Sequence, residues 1–152
     1  MKKIFFLLLF VVQLNAQSFT TTEIAAWEKQ AKDVTITRDR WGIPHVEGKT
    51  DADAVFGLIY AQCEDDFQRV ELNYIEKLGR LSEIEGESKL YNDLQNKLLI
   101  EESGAKSDYE AAAPWMKKLL NAHAAGLNYF LYKNKNVKPA LLTRFEPWYA
   151  LL

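Results

Sequence analysis

The sequence predicts an α+β class: a mainly helical chain carrying one short β-hairpin near its N-terminus. Val55, Ile59, Cys63, Phe67, Val70, Tyr74, Leu78 and Leu81 follow one another at steps of four and three, which places them on one face of a long helix. Residues 34–38 instead alternate in the manner of a strand, and the run VTITRDRWGIPHVEG then breaks at a Trp-Gly-Ile-Pro corner. With 152 residues, 48% of them hydrophobic and 26% charged, the chain has material for one ordinary core.

Taken in order, MKKIFFLLLFVVQLNA has a lysine pair, an apolar run from Ile4 to Val12 and a small residue at Ala16. Those are the three zones of a secretory signal, so residues 1–16 are expected to be removed on export, leaving 17–152 as the domain in a secreted or periplasmic setting. The alternative is a retained anchor, against which the shortness of the run argues; no permanent membrane span is expected. TTTEIAAWEKQAK reads as a short helix capped from Thr20 to Thr22, with Ile24, Trp27 and Ala31 on its inner face. Residues 34–38 form the first strand, Trp41 to Pro44 the turn and His45 to Glu47 the partner strand. Gly42 supplies a positive φ there, and Pro44 holds Ile43 extended. The Asp39 carboxylate is expected to accept backbone N–H groups or an arginine, while Trp41 covers the core.

The long helix is predicted from Asp51 to Leu78, about 42 Å if straight. Thr50 or Asp51 caps it, a Glu76–Arg80 pair supports its outer face, and Gly79 weakens or bends its end. One further turn, Leu81 to Glu85, closes at Gly86. Tyr91, Leu94, Leu98 and Leu99 predict an amphipathic helix that runs out near Ser103-Gly104. Ser107 to Glu110 has the pattern of a capping box, and Pro114 suits the first turn of a helix from Trp115 to about Tyr132 that buries Met116, Leu119, Leu120, His123, Leu127 and Phe130 or Leu131. Lys133 to Lys138 is a polar loop, and Pro139 to Pro147 leads irregularly to WYALL. That apolar ending has no cap, so the chain is expected to be truncated at its C-terminus, with the Val55-to-Leu81 stripe partly uncovered.

Chemistry is sparse. A net charge of −2 from interleaved charges favours neither nucleic acid nor an anionic membrane. Cys63 is the only cysteine, and its place in the helical stripe favours packing over nucleophilic work. His45 and His123 stand in no metal-binding frame, and Glu64-Asp65-Asp66 fan around a helix, reading as a solvated face before a calcium site. His45 beside Arg38, Asp39 and Arg40 is a possible general base, but a structural corner is the stronger reading; His123 reads as a satisfied core histidine. Cleavage after Gln17 would make Ser18 an N-terminal nucleophile with its own amine as base, a weaker alternative. No catalytic, cofactor-binding or metal residue is assigned.

Certain residues nevertheless form a recognisable series. Thr37-Arg38-Asp39-x-Trp41-Gly42-Ile43-Pro44-His45-Val46 is followed by Asp53, Phe56-Gly57, Tyr60-Ala61-Gln62, Glu64-Asp65, Glu71 and Leu78-Gly79-Arg80-Leu81-Ser82-Glu83-x-x-Gly86. In order and spacing the series resembles the start of the penicillin acylase (penicillin amidase) family, and a weaker match continues through Ala125 to Asn128 and Phe145 to Trp148. The resemblance implies an exported precursor that cuts itself into α and β chains, an αββα N-terminal nucleophile hydrolase sandwich, and a catalytic serine at the start of the β chain. This chain would then be the N-terminal part of the α chain, with the β chain of the same precursor as partner and a small N-acyl compound as substrate. Calcium is expected in the complete family member, with no ligand identifiable here. Asp65-Asp66 stands where many members have Asp-Arg, and Arg69 where glutamine is usual, so β-lactam amides, acyl-homoserine lactones and other N-acyl compounds all stay open. The competing class is a non-catalytic exported helical binding module.

Overall fold

The computed structural model describes residues 19–152; the expected signal and Ser18 lie outside the described residues. Helix α1 (Thr21–Ala31) leads into an antiparallel hairpin of β1 (Val34–Arg38) and β2 (Pro44–Gly48). Then come α2 (Asp51–Lys77), the single turn α3 (Ser82–Glu85), α4 (Leu90–Leu99), α5 (Glu102–Ala111), α6 (Pro114–Lys133) and a terminal 3-10 turn (Pro147–Leu151). The expected mainly helical α+β class with a short hairpin is therefore what the chain forms.

Local chemistry explains the boundaries. Thr20 and Glu23, then Thr50 and Asp53, form reciprocal capping boxes that satisfy the first free N–H groups of α1 and α2. Gly79 adopts φ +61° after the last turn of α2; its N–H reaches the Glu76 carbonyl and that of Arg80 reaches Ile75, a Schellman ending. This turn takes Arg80 out of helical register, so the expected Glu76–Arg80 pair does not form. Arg80 instead grips Glu83 with two hydrogen bonds of 2.6 and 2.9 Å.

The 42 Å straight helix is corrected by a break at Asp66, whose φ of −160° and ψ of 75° lie outside the helical region. Its carboxylate caps the resumed helix, accepting from the backbone N–H and Nε of Arg69, each at 3.1 Å. An aspartate side chain that competes for backbone donors is the physical cause. The break after Tyr91 to Leu99 also falls earlier than expected: α4 stops at Leu99 and Ile100 is extended. Ser103-Gly104 and the Ser107 to Glu110 pattern therefore lie within α5, and no capping box forms at Ser107. The next break is made by Pro114, which holds Ala113 extended at ψ 150°.

The core lies where α2 crosses α6. Ile59, Cys63, Phe67 and Ile75 meet Leu127, Phe130 and Leu131, and Leu142 and Phe145 fold back over them. Phe67 stacks on Phe130 with centroids 5.4 Å apart. At the crossing a Cβ on Gly126 would fall within the Ile59 side chain and 2.6 Å from the Phe56 carbonyl oxygen, so no larger residue permits this approach. A second cluster joins Trp27, Phe56, Ala122 and Tyr129. The Val55-to-Leu81 stripe is thus largely covered within this chain, contrary to expectation, because α6 and the segment after it return across it. The uncovered apolar surface is on α4 instead, where Tyr91, Leu94, Leu98 and Leu99 all face solvent.

Candidate functional site

The hairpin corner draws several polar residues together. Asp39 Oδ1 accepts from the N–H groups of Trp41 and Ile43 at 2.9 and 3.0 Å. Burial pushes its carboxyl upward, but these backbone donors and then His45 outweigh it and hold it below the usual carboxylate range. Arg38 donates to the Gly42 carbonyl at 2.8 Å and pairs with Glu64 at 3.1 Å and Asp65 at 2.7 Å. It thus ties the corner to the outer face of α2, which accounts for two of the three successive carboxylates. Gly42 has the expected positive φ, +83°.

Trp41 departs from expectation: it is 70% exposed. The register pairs Arg38 with Pro44, so Trp41 sits at the tip of the turn, beyond the reach of α2. Its partner is the Arg40 guanidinium, 3.9 Å from the ring centroid. His45 is largely exposed, with Nε2 3.6 Å from Asp39 Oδ2.

Three buried polar side chains, to which sequence reasoning gave no role, fasten separate parts of the backbone. Glu71 is 1% exposed and accepts from Ala140, Leu141 and Leu142 N–H groups at 2.8 to 2.9 Å. Asn128 reads the backbone of Phe145 twice, donating to its carbonyl and accepting from its N–H, both at 2.8 Å. Asp93 accepts from Leu81 and Ser82 N–H at 2.7 and 2.8 Å, capping α3 from a distance. Glu71 interrupts an apolar row between Phe67 and Ile75, and that interruption was the available signal; Asp93 stands in the polar row of Lys89, Asn96 and Lys97 and gave none.

The remaining reactive groups are quiet. Burial pushes the Cys63 thiol up to about 12, so it stays protonated at neutral pH, as its packing role requires. His123 Nε2 lies 3.2 Å from the Tyr74 hydroxyl, and burial holds the ring below its ordinary pKa while pushing the phenol up to about 12. This pair lines a cleft of about 380 Å³ with Gln62, Asn73, Lys77 and Tyr149, in which no serine, threonine or cysteine takes part. A cleft of about 520 Å³ beside Cys63 and the Asp66 break has no histidine. Among the described residues no group of three or more His, Cys, Asp or Glu side chains is placed to hold a metal ion, and no helix is long and apolar enough to cross a membrane.

Comparison with known proteins fits these observations. The sequence pattern of the penicillin amidase family matches residues 33–151. A penicillin acylase 2 proenzyme from Pseudomonas sp. (strain SE83) is 32% identical over 124 residues, covering 78% of this chain and 16% of that protein. The acyl-homoserine lactone acylase QuiP of Pseudomonas syringae pv. tomato is 30% identical over 114 residues, covering 75% and 14%. The chain thus spans about a sixth or less of the length of these relatives. In structure it resembles a thermostable penicillin G acylase from Alcaligenes faecalis, with a TM-score of 0.68 at 16% identity, covering 78% of this chain and 68% of that one. The hairpin and helices are therefore part of an N-terminal nucleophile hydrolase fold.

Proposed function

This chain belongs to the penicillin amidase family, and from that premise we propose that it is the N-terminal α-chain part of an exported amidohydrolase cleaving linear amide bonds of N-acyl compounds. The observation that carries the reading is the family match across residues 33–151, which takes in every fastening described above: Arg38–Asp39, Glu71, Asp93 and Asn128.

Attack on an acyl carbon needs an activated nucleophile together with oxyanion donors. Here the carboxylates of Asp39, Glu71 and Asp93 are held by backbone N–H groups, the thiol is protonated, and His123 faces a phenol. That distribution supports placing the serine nucleophile and its oxyanion donors downstream, on a β chain released from the same precursor. The α-chain part supplies the framework against which that chain folds. Calcium, implied by the resemblance for the complete enzyme, would likewise be held outside this chain, since its buried carboxylates already have backbone donors as partners. Export, with residues 1–16 removed, completes the proposal.

The substrate class is taken from the relatives, one a penicillin acylase and another an acyl-homoserine lactone acylase. Phenylmethylsulfonyl fluoride added to the protein made from the complete reading frame tests the reading. Labelling at a newly formed N-terminal serine downstream of Leu152, with loss of amide hydrolysis, is expected. Labelling inside residues 17–152, or a natural stop codon after Leu152, overturns it in favour of the binding module.

A further inference from the structure

Helix α2 is two rods joined at one residue. Asp66, at φ −160° and ψ 75°, leaves the helical region, and its carboxylate starts the second rod by accepting from the N–H of Arg69. The Arg69 side chain closes on the other oxygen, Nε to Oδ2, at 3.1 Å. Both side chains are exposed, so this closure costs little to open.

The two rods are fastened to different parts of the chain. Just before the joint, Glu64 and Asp65 hold Arg38 of the hairpin, and a Cβ on Gly57 would lie 2.5 Å from Val34 and 2.7 Å from Val46, so the hairpin rides on the first rod. Just after it, the buried Glu71 carboxylate holds residues 140–142 to the second rod. Close packing would forbid bending at such a point. Here, however, space flanks the joint. A cleft of about 520 Å³ runs from Cys63 past Asp66 to Lys138, and one of about 380 Å³ runs from Asp66 along Leu72 and Ile75 to the same lysine.

We propose that Asp66 is a hinge latched by Arg69, about which the hairpin and residues 51–65 move relative to residues 67–77 and the segment that Glu71 holds. A hinge concentrates its change of φ and ψ in a few residues, and Asp66 is the residue of α2 that is already outside the helix. Phe67, stacked on Phe130 immediately after the joint, is the pivot that stays closed. Cys63, three residues before the joint, lines the larger cleft while itself only 2% exposed. Opening uncovers it, which makes the chain's one thiol a native reporter of the motion. The inference is independent of the function proposed above.

The test is the rate at which Cys63 reacts with N-ethylmaleimide in the protein made from the complete reading frame, with the label located by mass spectrometry. The rate is normalised to the same protein unfolded in urea, and its proportionality to reagent concentration shows that reclosing outpaces reaction. The open fraction so obtained is compared with that from amide exchange at Ile75, fully buried on the second rod. The Cys63 fraction is expected to be at least tenfold the larger and nearly flat in urea below the unfolding transition. Arg69→Met, which keeps the apolar stem and loses the latch, should raise the Cys63 rate about two- to fivefold, as an exposed ion pair allows, and leave Ile75 unchanged. Equal open fractions that climb together with urea mean that Cys63 is reached only by global unfolding, and overturn the hinge without recourse to any variant. A Cys63 rate that Arg69→Met leaves unchanged, or moves in step with Ile75, overturns the latch.

Discussion

Replacing Glu71 by glutamine should loosen the return of the chain across α2. The native carboxylate is buried and accepts three N–H groups, Oε1 from Leu141 and Leu142 and Oε2 from Ala140. Glutamine can keep its carbonyl oxygen at the Oε1 position, where two bonds persist without their charge assistance. Its NH₂ then faces the Ala140 N–H, donor against donor. Losing charge assistance roughly halves a hydrogen bond, and leaving the part-buried Ala140 donor open costs toward the lower end of about 1–3 kcal/mol. The sum is about 2–4 kcal/mol, a large fraction of the stability of a domain this size. Urea unfolding should show a lower midpoint with an unchanged slope. Hydrogen exchange should show the amides of residues 140–142 losing protection before those of α6. A stability change below about 0.5 kcal/mol, an ordinary surface value, or undiminished protection at residues 140–142 would refute the clamp.

Other substitutions test other joints. Gly126→Ala should cost about 1–3 kcal/mol by overpacking, read as a lower urea midpoint, because its Cβ meets Ile59 and the Phe56 carbonyl. Gly42→Val should cost about 1–3 kcal/mol, since φ is +83° there, whereas His45→Ala, at an exposed side chain, should leave soluble yield unchanged. His123 is held below its ordinary pKa by burial, so the unfolded chain binds the extra proton first. Stability should fall as pH drops through about 6.5 toward the depressed folded value, and His123→Gln should flatten that slope in unfolding curves taken between pH 7 and 5.

Much of the fold was legible because its signals were local and periodic. The hairpin, the Thr20 and Thr50 caps, the end of α2 near Gly79 and the start of α6 at Pro114 each follow from a few neighbouring residues. The sequence misled where a long-range contact overruled a local preference. Trp41 looked like core material, but the strand register carries it past the end of the support. The Tyr91-to-Leu99 stripe looked like an inner face, yet Asp93 turns it outward by capping a helix twelve residues earlier. Asp66 breaks α2 through one side-chain bond that helical periodicity does not reveal. Glu71 and Asn128 were visible as members of a motif, but their roles depend on a segment about seventeen to seventy positions away. A structural carboxylate and a catalytic one look alike in sequence, and what its oxygens accept tells them apart.

The central claim is that this chain is a framework and that the reacting groups lie beyond it. The most direct measurement is turnover of a panel of N-acyl amides, penicillin G and long-chain acyl-homoserine lactones among them, by two preparations: residues 17–152 alone, and the mature protein from the complete reading frame. Hydrolysis by the complete protein only is the predicted result. Multiple-turnover hydrolysis by residues 17–152 alone would contradict the account.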